Sequence, residues 1–183
     1  MLSNYSNYDD VPLLLRQAIS NANKTVYQTA KSDKNYNSMG TTVVCALVKD
    51  NIVYVANVGD SRCYIVNENN LQQISIDHSY VQEMIDKGLL SVDEAKNHPN
   101  KNLITRAIGV ERFVDTDVFL KPFNKGDKIL LATDGLTGMI DKETISSIIN
   151  GESDCKKAVE KLIDSANEAG GKDNITAVLI CND

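Results

Sequence analysis

The nine residues Lys128 to Leu136, KILLATDGL, constrain the fold more than any other stretch of the chain. Ile129, Leu130, Leu131 and Ala132 form a short apolar run bounded by turn chemistry, the pattern of a strand buried on both faces. Asp134-Gly135 then ends the run. A carboxylate at the end of a buried strand, beside a glycine that lets backbone or ligand come close, is a common way to present a metal ligand. It is also an ordinary turn signal. The choice between the two depends on what else the chain brings to this point.

At 183 residues the chain fits one domain, 1–183, large enough to bury a core without metal or disulfide staples. No apolar run approaches the roughly 18 residues of a membrane span, and the polar start MLSNYSNYDD is neither a signal nor a transit peptide. The expected location is therefore the cytoplasm, with no membrane partner. The net charge of −6 offers no basic stripe for phosphate backbones, which argues against nucleic acid. An acidic protein that handles phosphate needs cations, and divalent metal is the obvious source. Cys45, Cys63, Cys155 and Cys181 lack CxxC spacing, and three lie in apolar runs, so buried free thiols are expected.

In chain order, Asp9 or Asp10 with Pro12 caps a first helix whose Leu15, Ala18, Ile19, Ala22 and Val26 recur at helical spacing. Residues 41–49 and 52–58 are β-branched strands joined tightly at Asp50-Asn51. Residues 62–66 and 71–76 suggest a second hairpin across NENN. From Asp77 to about 104 the pattern changes to short helices, with a capping box at Ser91 and Glu94. This stretch, rich in charge and poor in core residues, reads as a flap subdomain or as a plain surface excursion. Strands at 114–120, 128–133 and 175–181 follow, with helices at about 141–149 and 154–169 between the last two. The pattern lacks βαβ alternation and repeats, so the class is α+β, sheet covered by helices.

Three acidic loop residues stand at strand boundaries, each with glycine nearby: Asp60 in NVGDSR, Asp134 in ATDGL and Asp173 in GGKDNIT. Hard cations such as Mg²⁺ or Mn²⁺ take oxygen ligands and keep several waters, so a few carboxylates from separate loops suffice. Two such ions can activate a shared water and neutralise a phosphate. His78 and His98 each read best as loop hydrogen-bonding groups, although a histidine beside such a cleft can shuttle protons. Arg62 and Arg106 have the fork geometry to meet phosphate bidentately or to form structural ion pairs.

GTTVV from Gly40, NVGDSR from Asn57, IDHS from Ile76, ITRAIG from Ile104, TDGL from Thr133 and GGKDNITAV from Gly170 follow the order and spacing of one family. The chain resembles the metal-dependent serine/threonine protein phosphatases of type 2C, and SYVQEMIDKGLLSVDEAKNHP is similar to the flap of the bacterial branch. The resemblance implies a type 2C phosphatase-like αββα sandwich, two antiparallel sheets flanked by helices, with Mn²⁺ or Mg²⁺ in a cleft at one end. It implies that Asp134 and Asp173 bind metal and that Asp60 helps hold an additional ion. The implied reaction is hydrolysis of phosphoserine or phosphothreonine by metal-activated water, without a phosphoenzyme. Phosphoproteins made by a serine/threonine kinase are the implied partners, and a monomer is expected.

The family's N-terminal segment carries a phosphate-binding Arg, an acidic pair and a DG-x-GG motif. None of these precedes the first helix here, so an N-terminally incomplete fold with unpaired sheet edges is expected. Because the family's phosphate-binding Arg lies in that segment, the resemblance implies structural ion pairs for Arg62 and Arg106. The alternative function is a catalytically inactive phosphatase-like module that binds a phosphoprotein or a complementing segment. Asp115-Thr116-Asp117 resembles the nucleophile motif of haloacid-dehalogenase-type phosphatases, but its alternating pattern is that of a half-exposed strand rather than the end of a buried parallel one.

Overall fold

A computed structural model describes residues 10–67 and 70–182. Asp9, and the Glu68-Asn69 tip of the second hairpin, lie outside the described residues. The chain begins with helix α1 (Val11–Ser32), capped by Asp10, whose carboxylate accepts from the Leu13 N–H at 3.0 Å. Strands β1 (Val43–Lys49) and β2 (Ile52–Val58) form the first hairpin. Asp50 and Asn51 both take positive φ, 52° and 58°, the two-residue turn whose twist matches the strands. β3 (Arg62–Asn67) and β4 (Asn70–Gln73) form the second hairpin. The excursion holds α2 (Tyr80–Asp86) and α3 (Val92–Lys96), the latter with the full Ser91–Glu94 capping box. Then come β5 (Asp117–Pro122), β6 (Lys128–Ala132), α4 (Asp134–Thr137), α5 (Lys142–Gly151), α6 (Cys155–Glu168) and β7 (Ala177–Cys181).

The strands make two antiparallel sheets, ordered β1-β2-β5 and β4-β3-β6-β7. The alternation of side chains along each strand sorts the core into layers. On β2, Tyr54, Ala56 and Val58 face Val11, Leu15 and Ile19 of α1. Val53 and Val55 of the same strand face Cys63 of β3 and Ile129 of β6 across the sheet interface. On β6, Leu130 and Ala132 turn the other way, toward Ile145 and Ile149 of α5 and Leu162 and Ala166 of α6. The result is a helix–sheet–sheet–helix stack, the αββα sandwich. β6 is buried on both faces, as its composition requires.

Several boundaries differ from the sequence pattern. α1 turns its Leu14 and Asn23 inward and leaves Ala18 and Ala22 exposed. Asn23 earns no place on a hydrophobic stripe, but its Oδ1 accepts the Gly109 N–H at 2.7 Å and its Nδ2 donates to the carbonyls of Glu111 and Arg112. β5 starts three residues later than the alternation suggests, because its partners are set by β2, Asn57 opposite Asp117 and Ile52 opposite Pro122. Asp134 opens a single helical turn rather than a plain turn. Cys155 and Cys181 form a disulfide between the start of α6 and the end of β7, contrary to the expectation of four free thiols; Cys45 and Cys63 are free. α6 packs beside β7, a proximity that cysteine spacing does not encode.

Leu130 is fully buried between β6 and the α5/α6 layer. Leu130→Ala is expected to lower unfolding free energy by about 3 kcal/mol, read from urea denaturation midpoints. A loss below about 1 kcal/mol would mean that this layer is loosely packed.

Candidate functional site

Three strand ends meet at one end of the sandwich. β6 runs into Thr133 and α4, whose first residue is Asp134. The loop entering β7 lies against this turn: the Thr133 N–H donates to the Thr176 carbonyl at 3.1 Å, and the Thr176 N–H donates to Thr133 Oγ1 at 3.0 Å. Gly135 is the reason they can lie so close. A Cβ there would sit 2.2 Å from the Asn174 carbonyl oxygen, so only glycine fits. This contact brings Asp173, the residue before Asn174, beside the turn that presents Asp134. Asp173 Oδ1 accepts its neighbour's N–H, from Asn174, at 2.7 Å.

Asp60 comes from the other sheet-connecting loop, between β2 and β3. Burial holds its carboxyl above the usual carboxylate range, and the Asp134 charge pushes in the same direction. The two acids therefore lie within range of each other's charge, on strand ends that are not sequence neighbours. Asp134 and Asp173 are exposed, whereas Asp60 is half-buried. Among the described residues no three His, Cys, Asp or Glu side chains stand close enough together to hold a metal ion as a ready-made cluster. The donors are nonetheless all carboxylate oxygens, which fits a hard divalent cation rather than a thiolate- or imidazole-loving one.

The arginines and histidines are engaged as structural groups. Arg62 grips Asp77 bidentately, Nε to both carboxylate oxygens and Nη2 to Oδ2 at 2.6 Å. Arg106 donates to Asp117 Oδ1 at 3.0 Å and to the Asp115 carbonyl. Burial raises the Asp117 carboxyl, but the hydrogen bonds from His78 and Arg106 outweigh it and hold the group below its usual range. His98 stacks at 5.6 Å on Tyr80 and accepts the Asn100 N–H. His78 is different: it is 6% exposed and lies within this network. Sequence reasoning foresaw a loop hydrogen bond for it, but had no signal for its burial or partners. The excursion joins the body at its base, where Ser79 bridges Ile104 and the Thr105 N–H donates to the His78 carbonyl. Among the described residues no helix is long and apolar enough to cross a membrane.

The fold has close counterparts among proteins of known structure. The protein phosphatase 2C family profile matches residues 3–175. The chain belongs to the protein phosphatase 2C family, the metal-dependent serine/threonine protein phosphatases. It is 40% identical over 172 residues to the serine/threonine phosphatase stp of Listeria welshimeri, covering 94% of this chain and 68% of that protein. The crystal structure of the serine/threonine phosphatase Stp1 from Staphylococcus aureus superposes with a TM-score of 0.93 at 35% identity, over 98% of this chain and 71% of that one. The catalytic domain of the phosphatase PstP, solved in complex with two manganese ions, matches with a TM-score of 0.85 at 28% identity, over 97% of this chain and 73% of that one. The family uses Mn²⁺ or Mg²⁺.

The two perturbed acids make a pH prediction with opposite signs. Asp60 is raised in the folded state, so its charge costs stability at neutral pH and the cost disappears once the pH falls below the unfolded value of about 4. Asp117 is lowered, so its contribution is present above that value and is lost only as pH falls through a still lower folded value. In chelator at pH 7, Asp60→Asn is expected to raise Tm and Asp117→Asn to lower it. The Asp60→Asn gain should vanish below about pH 4 while the Asp117→Asn loss persists further down. A pH-independent gain for Asp60→Asn would contradict the burial of its charge.

Proposed function

We propose that this chain dephosphorylates phosphoserine and phosphothreonine in proteins, with Asp134, Asp173 and Asp60 supplying the protein oxygens for Mn²⁺ or Mg²⁺. The observation that carries this reading is the convergence, at one end of the sandwich, of the loops bearing Asp60 and Asp134, where burial raises the Asp60 carboxyl and the Asp134 charge adds to the effect. The packing of Asn174 on Gly135, which lays the Asp173 loop beside them, supports the third ligand. Divalent cations in such a place supply positive charge for a phosphate and acidify water.

The chain's own residues do the remaining work. Asp134 and Asp173, both exposed, face solvent where a phosphorylated side chain of a protein substrate has access. The apolar layers beneath them, closed by Leu136 and Ile140, keep the strand ends from yielding when charge accumulates above. Arg62 and Arg106 remain committed to Asp77 and Asp117, so neither is free to serve as a phosphate clamp. The residues 77–104 act as a flap subdomain beside the cleft, tied at its base and carrying exposed Leu89 and Val92. The accompanying finer readings are a monomer in the cytoplasm and a partner serine/threonine kinase that makes its substrates. The phosphatase reading is favoured over an inactive binding module because the matched relatives are phosphatases across nearly the whole chain.

Hydrolysis of a phosphothreonine peptide by the purified chain is expected to require Mn²⁺ and to stop in chelator. Asp134→Asn should lower turnover by about 100-fold or more with little change in Tm. Chelator-insensitive turnover, or an unimpaired Asp134→Asn variant, would refute the ligand assignment; folded, Mn²⁺-binding protein without turnover would favour the binding module.

A further inference from the structure

The motifs IDHS and ITRAIG contribute no carboxylate to the three-acid set, yet the structure gives them a common target, the loop that carries Asp60. Asp77 and His78 hold this loop on both sides of the acid. On the C-terminal side, Asp77 takes the bidentate grip of Arg62, two residues beyond Asp60, and a further hydrogen bond from Gln73 Nε2 at 2.8 Å. On the N-terminal side, His78 makes a two-point contact with Gly59. Its backbone N–H donates to the Gly59 carbonyl at 2.9 Å, and its ring Nδ1 accepts the Gly59 N–H at 3.0 Å.

Because Nδ1 accepts, the neutral ring carries its proton on Nε2. That N–H points to Asp117 Oδ2 at 3.1 Å, while Arg106 secures the other carboxylate oxygen. The Gly59 N–H and Asp117 thereby fix both the tautomer and the tilt of the ring; Arg106 Nη1, also 3.1 Å from Nε2, finds its acceptor in Asp117 rather than in the ring and acts by holding that carboxylate. Asn57, fully buried, adds a brace: its Nδ2 donates to the Gly59 carbonyl at 3.1 Å and to the Ile76 carbonyl at 3.0 Å. Gly59 itself has φ +111°, and a Cβ there would meet Thr42 Cγ2 at 2.3 Å, so the loop is pressed onto the GTTVV motif as well. Ser61 completes this side with a hydroxyl contact to Thr42 at 2.9 Å.

We propose that His78 is a positioning residue for Asp60: its Nδ1 holds the Gly59 N–H, and Asp117 and Arg106 hold His78, so that the Asp60 carboxylate meets metal in a preset orientation. The inference rests on the reading of Asp60 as a metal ligand, and it assigns the motif histidine, its aspartate partner on β5 and the ITRAIG arginine a single task. His78 is not placed in contact with substrate or metal. Its effect runs through one backbone amide.

Two substitutions separate the ring's two ends. His78→Asn places an amide oxygen near the position of Nδ1 and can still accept from Gly59, whereas His78→Gln reaches only toward the Nε2 position and Asp117. Both remove the ring and its packing. Mn²⁺ binding to the metal-free protein is measured by calorimetry, and exchange of the Gly59 amide hydrogen by NMR, for wild type, both variants, Asp60→Asn, and Asp60→Asn combined with His78→Gln. The expected result is a roughly tenfold weaker Mn²⁺ affinity and faster Gly59 exchange in His78→Gln, with His78→Asn much closer to wild type. In the Asp60→Asn background His78→Gln should cost no further affinity, because the two act as one unit. Equal losses in His78→Asn and His78→Gln, or full additivity with Asp60→Asn, would reduce His78 to a packing role and overturn the proposal. Wild-type affinity in His78→Gln, with Asp60→Asn impaired, would overturn it while leaving Asp60 a ligand. Wild-type affinity in Asp60→Asn would remove the ligand reading, and the positioning claim with it.

Discussion

The site depends on β6 being buried from both directions. Ile129 and Leu131 pack into the interface between the sheets, and Leu130 and Ala132 pack into the layer beneath α5 and α6. A strand held on two faces and flanked by β3 and β7 has little freedom along or across its axis. Its end is therefore a fixed point, and Asp134 stands on it. The neighbouring strand ends take their positions from the same ladder, Arg62 of β3 opposite Ala132 and Ala177 of β7 opposite Ala132 on the other side. Carboxylates that repel one another can be held together only by a scaffold of this stiffness.

Around that point the chain spends its polar groups on loops rather than on chemistry. Glycines at 59 and 135 allow close approach, the Thr42 side chain against one and the Asn174 backbone against the other. Arg62, Asp77, His78, Arg106 and Asp117 are bonded to each other or to backbone, half-buried or buried, so Arg62 and Arg106 pair with Asp77 and Asp117 rather than with Asp60, Asp134 or Asp173.

The sheet architecture was legible because it is written in alternation and turns. Asp50-Asn51 named its hairpin, the apolar run at 129–132 named the central strand, and Ser91 with Glu94 named a helix start that is present with both capping bonds. The glycines beside Asp134 and Asp60 marked loops that do come close to neighbouring segments, Gly135 against Asn174 and Gly59 against Thr42. What was hidden depends on partners distant in sequence. Asn23 on the core face of α1 answers to a loop 86 residues away, β5 answers to the register of β2, and Cys155 meets Cys181 only because α6 folds back along β7. His78 was assigned its bond type but not its importance, since burial of a polar ring is set by the loops that close over it.

Diffraction data collected at the manganese absorption edge from crystals of this chain soaked in Mn²⁺ test the central claim most directly. Anomalous density is expected at the strand-end cleft, within bonding distance of Asp134 and reached by Asp60 or Asp173. Anomalous density confined to other acids, or none at this end of the sandwich, would contradict it.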